Sequence, residues 1–293
     1  MAREAWSVAI GPSLEDIKRI ERELGVPVKL LGHALDPGEH PRVRSAGGFT
    51  TVLLRVPSEE AKGAELPFVT SPLAIVIGKE AGVIIASRRG PIVHALAEAL
   101  EDASVAMLPH RVILRALELT AKSYLAALDA IDARVDEAEK RLSRSLENRE
   151  VLELLRYQKS LVFFSAALEA MHVMLERLGK APELHLTPED EDWLGDVVVE
   201  FRQALEASNL QRNLMSEMMD AFASIISNNL NVVMKFLASV TVILTLPMVV
   251  ASFYGMNVSL PGQHRPSAFF GILVVSCVLV VAVAAYFRRR NGL

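Results

Sequence analysis

Two long uncharged runs near the end of the chain constrain it more than any other feature. From Phe236 to Tyr254 about 19 residues pass without a charged side chain, and Phe269 to Phe287 repeats this at about the same length. Each run is long enough to cross the hydrocarbon core of a bilayer as a helix. The earlier apolar stretches, Leu73 to Ile77 and Val83 to Ala86, are strand-sized and bounded by turn residues, so they belong to a water-soluble core. With 51% hydrophobic and 23% charged residues, the chain segregates its apolar and soluble parts.

Charge orients the two spans. Lys235 precedes the first and Arg288, Arg289 and Arg290 follow the second, as a basic ring at one membrane face, while the connecting loop, Val258 to Ser267, carries only Arg265. The positive-inside rule then places both termini in the cytoplasm and the loop outside, in a cell membrane protein. The start, Met1 to Trp6, has no basic stretch followed by an apolar core, so no cleaved signal peptide is read there. Two spans cannot enclose a pore, so a transport function requires an oligomer with its channel on the symmetry axis. Cys277, the single cysteine, lies inside an apolar run and excludes an intramolecular disulfide or a cysteine-based zinc site. A net charge of −4 excludes a strongly basic nucleic-acid footprint.

The fold class read from the remaining pattern is an α+β cytoplasmic domain followed by long helices. Ser13 with Asp16 marks a helix start and Gly25 its stop. Strands are expected at Thr50–Val56, Leu73–Ile77 and Val83–Ala86, and a helix from Pro91 to Leu100. After His110 the pattern is helical, with the tip of a hairpin at Glu147-Asn148-Arg149. Asp129, Asp132, Asp136, Glu137 and Glu139 read as a solvated helix face. The expected organisation is a cytoplasmic domain at 1–108, a helical hairpin at 109–186, and a stalk helix at 187–254 that includes the first span at about 235–254. An external loop at 255–267, a second span at 268–287 and a basic tail at 288–293 complete it. No nucleophile elbow, phosphate loop or metal-ligand spacing occurs in residues 1–180, so no enzyme is read and no cofactor is expected.

Thr187-Pro188-Glu189-Asp190 combines a capping residue, proline at the first helical position and acids in the first turn. No stop follows before Pro247, so the helix is expected to run to Tyr254, roughly 100 Å at 1.5 Å per residue. Steps of three and four along the first span meet Asn231, Met234, Ala238, Thr241, Thr245, Met248 and Ser252. Carried back toward the cytoplasm they meet Ser227, Ser224, Asp220, Glu217 and Asn213. This 3.5-residue period is that of helices wound about a common axis. A polar stripe on such an axis points to a water-filled lumen. The competing reading is that these hydroxyls bond their own backbone at helix contacts. Asp220 and Glu217, repeated around an axis, would concentrate cations.

Tyr254-Gly255-Met256-Asn257, placed directly after the first of two C-terminal spans and preceded by Pro247, resembles the signature of the CorA-type magnesium and cobalt channel family. The resemblance extends through Asp196-Val197 and Asn231 to Lys235. It implies a funnel-shaped homopentamer in the membrane lipid, with Gly255, Met256 and Asn257 as the selectivity filter and five Asn257 side chains at the outer mouth. Gly255 is expected to permit a tight turn and Met256 to pack. By the same resemblance Asn231 is a second polar ring and Asp220 an acid at the cytoplasmic entrance. Met234, Thr241, Thr245 and Met248 would line the path between. Asp196 matches a stalk acid that binds regulatory Mg²⁺ between subunits. Its partner in the small domain stays open among Glu59, Glu60 and Glu65, with Pro67 near the expected position.

The function implied is Mg²⁺ uptake, with Co²⁺ and Ni²⁺ as further ions, through a pore gated by intracellular Mg²⁺. The outer loop departs from many relatives in having no acid, and His264 in it reads as an ordinary loop histidine. The alternative is a Zn²⁺ transporter of the same family, with or without proton coupling. A membrane-tethered enzyme or scaffold is the reading from a different class.

Overall fold

The computed structural model describes residues 5–61, 63–78, 81–101, 108–145, 148–180, 184–258, 262, 265 and 267–289. The chain divides into two compact units, Met1–Glu217 and Met218–Leu293. The expected hairpin tip falls partly outside the described residues, at Glu147. So do Arg290 and most of the loop, His264 included.

The first unit is built on a five-stranded sheet: β1 (Ala5–Ile10), β2 (Arg42–Ala46), β3 (Phe49–Glu59), β4 (Phe68–Ile77) and β5 (Ala81–Ala86), in the order β1-β5-β4-β3-β2. Strands β2 to β5 form an antiparallel meander, and β1 adds parallel to β5 at the edge. Register puts Leu53, Ala74 and Ile85 side by side on one face and Val52, Ile75 and Ile84 on the other. All six are at most 1% exposed, so both faces of the sheet are covered. Such strands read as continuous apolar runs rather than alternating ones.

Helices α1 (Leu14–Leu24) and α2 (Val28–Gly32), the latter followed by a 3₁₀ turn at His33–Leu35, cover the first face with Ile17, Ile20, Leu30 and Leu31. Ser13 and Asp16 close a reciprocal capping box on α1, and Gly25 ends it at φ 67°, a conformation that suits glycine. After α3 (Pro91–Glu101) come α4 (Pro109–Ser145) and α5 (Asn148–Leu178). Helix α4 packs on β3 and α5 on β4. Tyr124 of α4 and Phe164 of α5 meet edge to face at 5.2 Å, and Phe164 meets Phe68 at 6.2 Å. The Tyr124 hydroxyl donates to the Arg55 carbonyl at 3.0 Å. Burial pushes its pKa up, so it remains a donor. Ser160 of α5 bridges strand β4 by donating to the Phe68 carbonyl at 2.8 Å and accepting from its N–H at 3.3 Å.

Two strands, β1 and β2, and helix α2 were not anticipated from sequence, and β3 and β4 are longer than expected. Prolines account for the shortened expectations. Pro57 lies on β3 beyond Leu53, where the pairing with β2 ends, and Pro72 on β4 just precedes Leu73, where the pairing with β5 begins. Each proline therefore sits where one neighbouring strand is absent, and its missing N–H leaves no ladder bond broken there. Strand β1 depends on a partner far away in sequence. Trp6 stands opposite Gly82, and a Cβ on Gly82 would come within 2.5 Å of the indole, so only glycine admits that ring.

Helix α6 (Pro188–Tyr254) is a single helix of 67 residues with Pro247 inside it, and α7 (Ala268–Arg289) has 22. Both are long and apolar enough to cross a membrane. Aromatic pairs mark the two ends of α7: Phe269 with Phe270 at 5.6 Å, and Tyr286 with Phe287 at 5.8 Å. The pairs are about 26 Å apart along the helix axis, close to the thickness of a hydrocarbon core.

Candidate functional site

Everything that positions the candidate site hangs on α6. Its first turn is fixed by Asp190, which is 1% exposed. The carboxylate accepts from the Thr187 hydroxyl at 2.7 Å and the Thr187 N–H at 3.1 Å, while the Asp190 N–H returns a bond to the Thr187 hydroxyl at 3.3 Å. From the first turn of α4, His110 Nε2 lies 3.1 Å and Arg111 Nε 2.9 Å from the same carboxylate. The Arg111 Nε approach is a charge contact, because its angle does not make a hydrogen bond. Burial pushes the Asp190 carboxyl up, but the Thr187 bonds and the charges of Arg111 and His110 outweigh it and hold it below the ordinary range. The sequence marked Thr187 as the capping residue and Asp190 as an acid of the first turn. It gave no sign of His110 and Arg111, which lie about 80 positions away and are brought near only by the packing of α4 on α6.

Further along, Ser208 of α6 shares a buried hydrogen bond of 2.9 Å with Ser165 of α5, and Gln211 donates to the Leu128 carbonyl of α4 at 3.2 Å. These bonds lock the lower part of α6 into the first unit.

The stripe itself is open. Glu217, Asp220, Ser224, Ser227, Asn231, Met234, Ala238, Thr241, Met248 and Ser252 are exposed, and Thr245 is half-buried. Of the other positions in the span, Ser239 is buried, and Ile243, Leu246 and Val250, at the same three-and-four spacing, are half-buried. Val250 shares a cleft with Ile272 of α7. The face turned toward α7 is therefore roughly 150° around the helix from the stripe at 100° per residue. The stripe is not the seam between the two helices of this chain.

The hydroxyls of the stripe do bond their own backbone. Thr241 donates to the Leu237 carbonyl at 2.8 Å, Thr245 to the Thr241 carbonyl at 2.7 Å, and Ser224 to the Asp220 carbonyl at 3.0 Å. Each hydroxyl proton is thus used within the helix. What faces outward is a row of oxygen lone pairs, acceptors for the hydrogens of water around a cation. Pro247 leaves the Ile243 carbonyl without its helical donor, on the face turned toward α7 and not on the stripe.

Helix α6 ends at Tyr254, and the motif follows as a tightening turn. Gly255 N–H donates to the Ala251 carbonyl at 3.0 Å and the Ser252 carbonyl at 3.2 Å, and Met256 N–H to the Phe253 carbonyl at 3.3 Å. Gly255 is not among the residues with positive φ, so left-handed backbone is not what calls for glycine here. A Cβ there would make only ordinary van der Waals contacts, 3.4 Å from the Ala251 oxygen and 3.5 Å from that of Ser252, so local packing does not demand glycine either. Met256 is half exposed and Asn257 is exposed.

The sequence-predicted regulatory acids are not brought together. Asp196 is exposed on α6, and Glu65 is exposed. Glu59 pairs with Arg134 at 2.5 Å, and Glu60 pairs with Arg88. Among the described residues no group of three or more His, Cys, Asp or Glu side chains is placed to hold a metal ion. Lys235, Arg288 and Arg289 are exposed at the ends of the spans.

Comparisons with known proteins complete the picture. The family described as CorA-like Mg2+ transporter protein matches residues 4–289. The cobalt/magnesium transport protein CorA of Methanocaldococcus jannaschii is 26% identical over 99% of this chain and 91% of its own length. The complete structure of the CorA magnesium transporter from that organism superposes with a TM-score of 0.85 at 25% identity, covering 97% of this chain and 90% of the other. The cytoplasmic domain of ZntB from Vibrio parahaemolyticus shares the fold, with a TM-score of 0.60 at 13% identity over 77% of this chain and 87% of that one.

Proposed function

This chain belongs to the CorA-like Mg2+ transporter family, and from that premise we propose that it forms a homopentameric Mg²⁺ channel, also passing Co²⁺ and Ni²⁺, with Asn257 at the filter. A divalent cation transporter is what the family makes it; the ion, the pentamer and the residue roles are our reading. The observation that carries it is the Gly255-Met256-Asn257 turn at the end of a helix whose polar stripe faces away from α7.

Mg²⁺ sheds water reluctantly, so an ion held through its hydration shell passes more readily than one stripped bare. Five Asn257 amide oxygens would hold such an ion without trapping it. Below them, Thr245, Thr241 and Asn231 present oxygens, and Met248 and Met234 form apolar constrictions. Asp220 and Glu217 draw cations to the cytoplasmic end, where Lys235, Arg288, Arg289 and Arg290 face the membrane surface. Asp196 serves as a regulatory ligand between subunits, with Glu65 its free partner candidate. Glu59 and Glu60 are weaker candidates, since arginines already neutralise them. Mg²⁺ bound there favours the closed state, and its loss lets the pore open.

Mg²⁺ influx into proteoliposomes, followed with an internal indicator, tests the filter. Asn257→Ala abolishes influx at normal expression; unchanged influx would refute the assignment. Unchanged inhibition by internal Mg²⁺ in Asp196→Ala would remove Asp196 as the sensor. The ZntB-like fold of the first unit and the acid-free loop favour Zn²⁺ as the second reading. Zn²⁺ flux that exceeds Mg²⁺ flux and rises with a proton gradient would establish it.

A further inference from the structure

Beyond Asp220 the chain carries charge of one sign. After Asp220 the chain has no Asp or Glu, while Lys235, Arg265, Arg288, Arg289 and Arg290 are all basic. Four of these five flank one end of the two apolar runs, and Arg265 stands alone at the other. No carboxylate in this part of any copy of the chain is available to neutralise it.

Arg265 is held in place through its backbone. Its N–H donates to the Gly262 carbonyl at 3.0 Å, and its carbonyl accepts from Ala268 at 2.9 Å. Its side chain lines a cleft of about 350 Å³ together with Tyr254 at the end of α6 and Ser267 before α7. The cleft continues along an apolar wall that includes Val250, Gly271 and Ile272. This volume is at the lower end of the range for small-ligand sites. A Cβ on Gly271 would meet nothing within 4 Å, so the groove beside it is open space. The Phe269–Phe270 pair, four and five positions after Arg265, marks the membrane interface, which puts the guanidinium at phosphate depth.

A guanidinium fork matches the two free oxygens of a phosphodiester, and neighbouring hydroxyls add donors. We propose that this cleft binds an anionic phospholipid of the leaflet on the loop side, its phosphate on Arg265 and one acyl chain along the Gly271 groove. An anionic rather than zwitterionic headgroup is required by the charge balance, since a choline cation would find no acid in the two spans or the loop between them. The apolar wall requires a lipid rather than a soluble anion. A consequence rests on the transport reading: at the mouth of a cation path, free arginines repel the ions, and a bound anion cancels that repulsion.

The test counts lipids on the full chain purified from vesicles of phosphatidylcholine with about a quarter phosphatidylglycerol, using native mass spectrometry. The parent retains phosphatidylglycerol in preference to phosphatidylcholine. Arg265→Gln loses about one phosphatidylglycerol per chain, and Gly271→Leu, which fills the groove without displacing protein atoms, loses the same lipid. The double variant Arg288→Gln/Arg289→Gln keeps it, and excess inorganic phosphate does not displace it. An unchanged phosphatidylglycerol count in Arg265→Gln, equal retention of phosphatidylcholine, or displacement by phosphate would each overturn the proposal. No transport is measured, so this outcome is independent of whether the chain conducts Mg²⁺.

Discussion

Replacing Asp190 by alanine removes the buried carboxylate that ties the first turn of α6 to the first turn of α4, leaving only the exposed Glu189–Arg111 pair at 3.1 Å. Two losses combine. The capping box with Thr187 disappears, at about 1 kcal/mol. His110 then loses its anion and Arg111 keeps only Glu189; breaking a buried pair costs about 3–5 kcal/mol, and the exposure of Arg111, at 36%, with its second contact to Glu189, takes the lower end. The sum is about 4 kcal/mol. At about 2–4 °C per kcal/mol for a chain of this size, the melting temperature falls by about 10 °C. Asp190→Asn keeps the shape and an oxygen for Thr187 and loses only the charge, so it falls by about half as much. Differential scanning fluorimetry of the detergent-purified protein measures this, with Trp193, one turn away on α6, as a local reporter. The folded carboxyl sits below the ordinary value. Its contribution is therefore complete above the unfolded value near 4 and is lost as pH falls through the lower folded value. The gap between parent and Asp190→Ala is flat from about pH 8 to 5 and narrows below about pH 4. An Asp190→Ala protein melting within about 2 °C of the parent at neutral pH would refute the anchor.

Three further outcomes follow from the geometry. Ser208→Ala takes away the Ser165 hydroxyl's partner and costs about 1–2 kcal/mol, Ser165→Ala costs less because Ser208 keeps the Leu161 carbonyl at 3.4 Å, and the double variant is less than additive, as denaturant titration in a double-mutant cycle will show. Thr241→Val with Thr245→Val leaves the melting temperature nearly unchanged, because the carbonyls they bond retain their helical partners, yet divalent flux into proteoliposomes drops several-fold. Gly255→Ala supports flux close to the parent, whereas Gly255→Val presses methyl groups onto the Ala251 and Ser252 carbonyls and reduces flux at equal expression.

How far the fold could be read in advance depended on the range of the interactions involved. The spans, the caps of α1 and α6 and the central parts of β3, β4 and β5 are written in local pattern, and they appear where expected. Strand β1 is not, because Ala5–Ile10 becomes a strand only by pairing with β5 some 76 positions later. Strand β2, Arg-Val-Arg-Ser-Ala, carries too few apolar residues to announce itself. At the site, the stripe was legible because a helix repeats, and the structure adds the direction of its hydroxyl protons. At Gly255 a turn suggests positive φ, yet the backbone there is not left-handed and an added Cβ would make only ordinary contacts. The acids proposed near Asp196 could not be sorted by sequence, since the arginines that occupy Glu59 and Glu60 come from β5's far end and from α4.

The threonines of α6 have a further consequence for how such a chain can change over generations. Their protons are satisfied within their own helix and their side chains contribute little to packing inside the chain. On the pore-lining role proposed above, substitution along the stripe is therefore filtered by what the pathway passes and hardly at all by whether the protein folds. The buried ties at Asp190 and at Ser165–Ser208 are under the opposite constraint. On that role one helix holds a segment free to drift toward a new ion and a segment that cannot drift, with Ser208 about nine turns before Thr241.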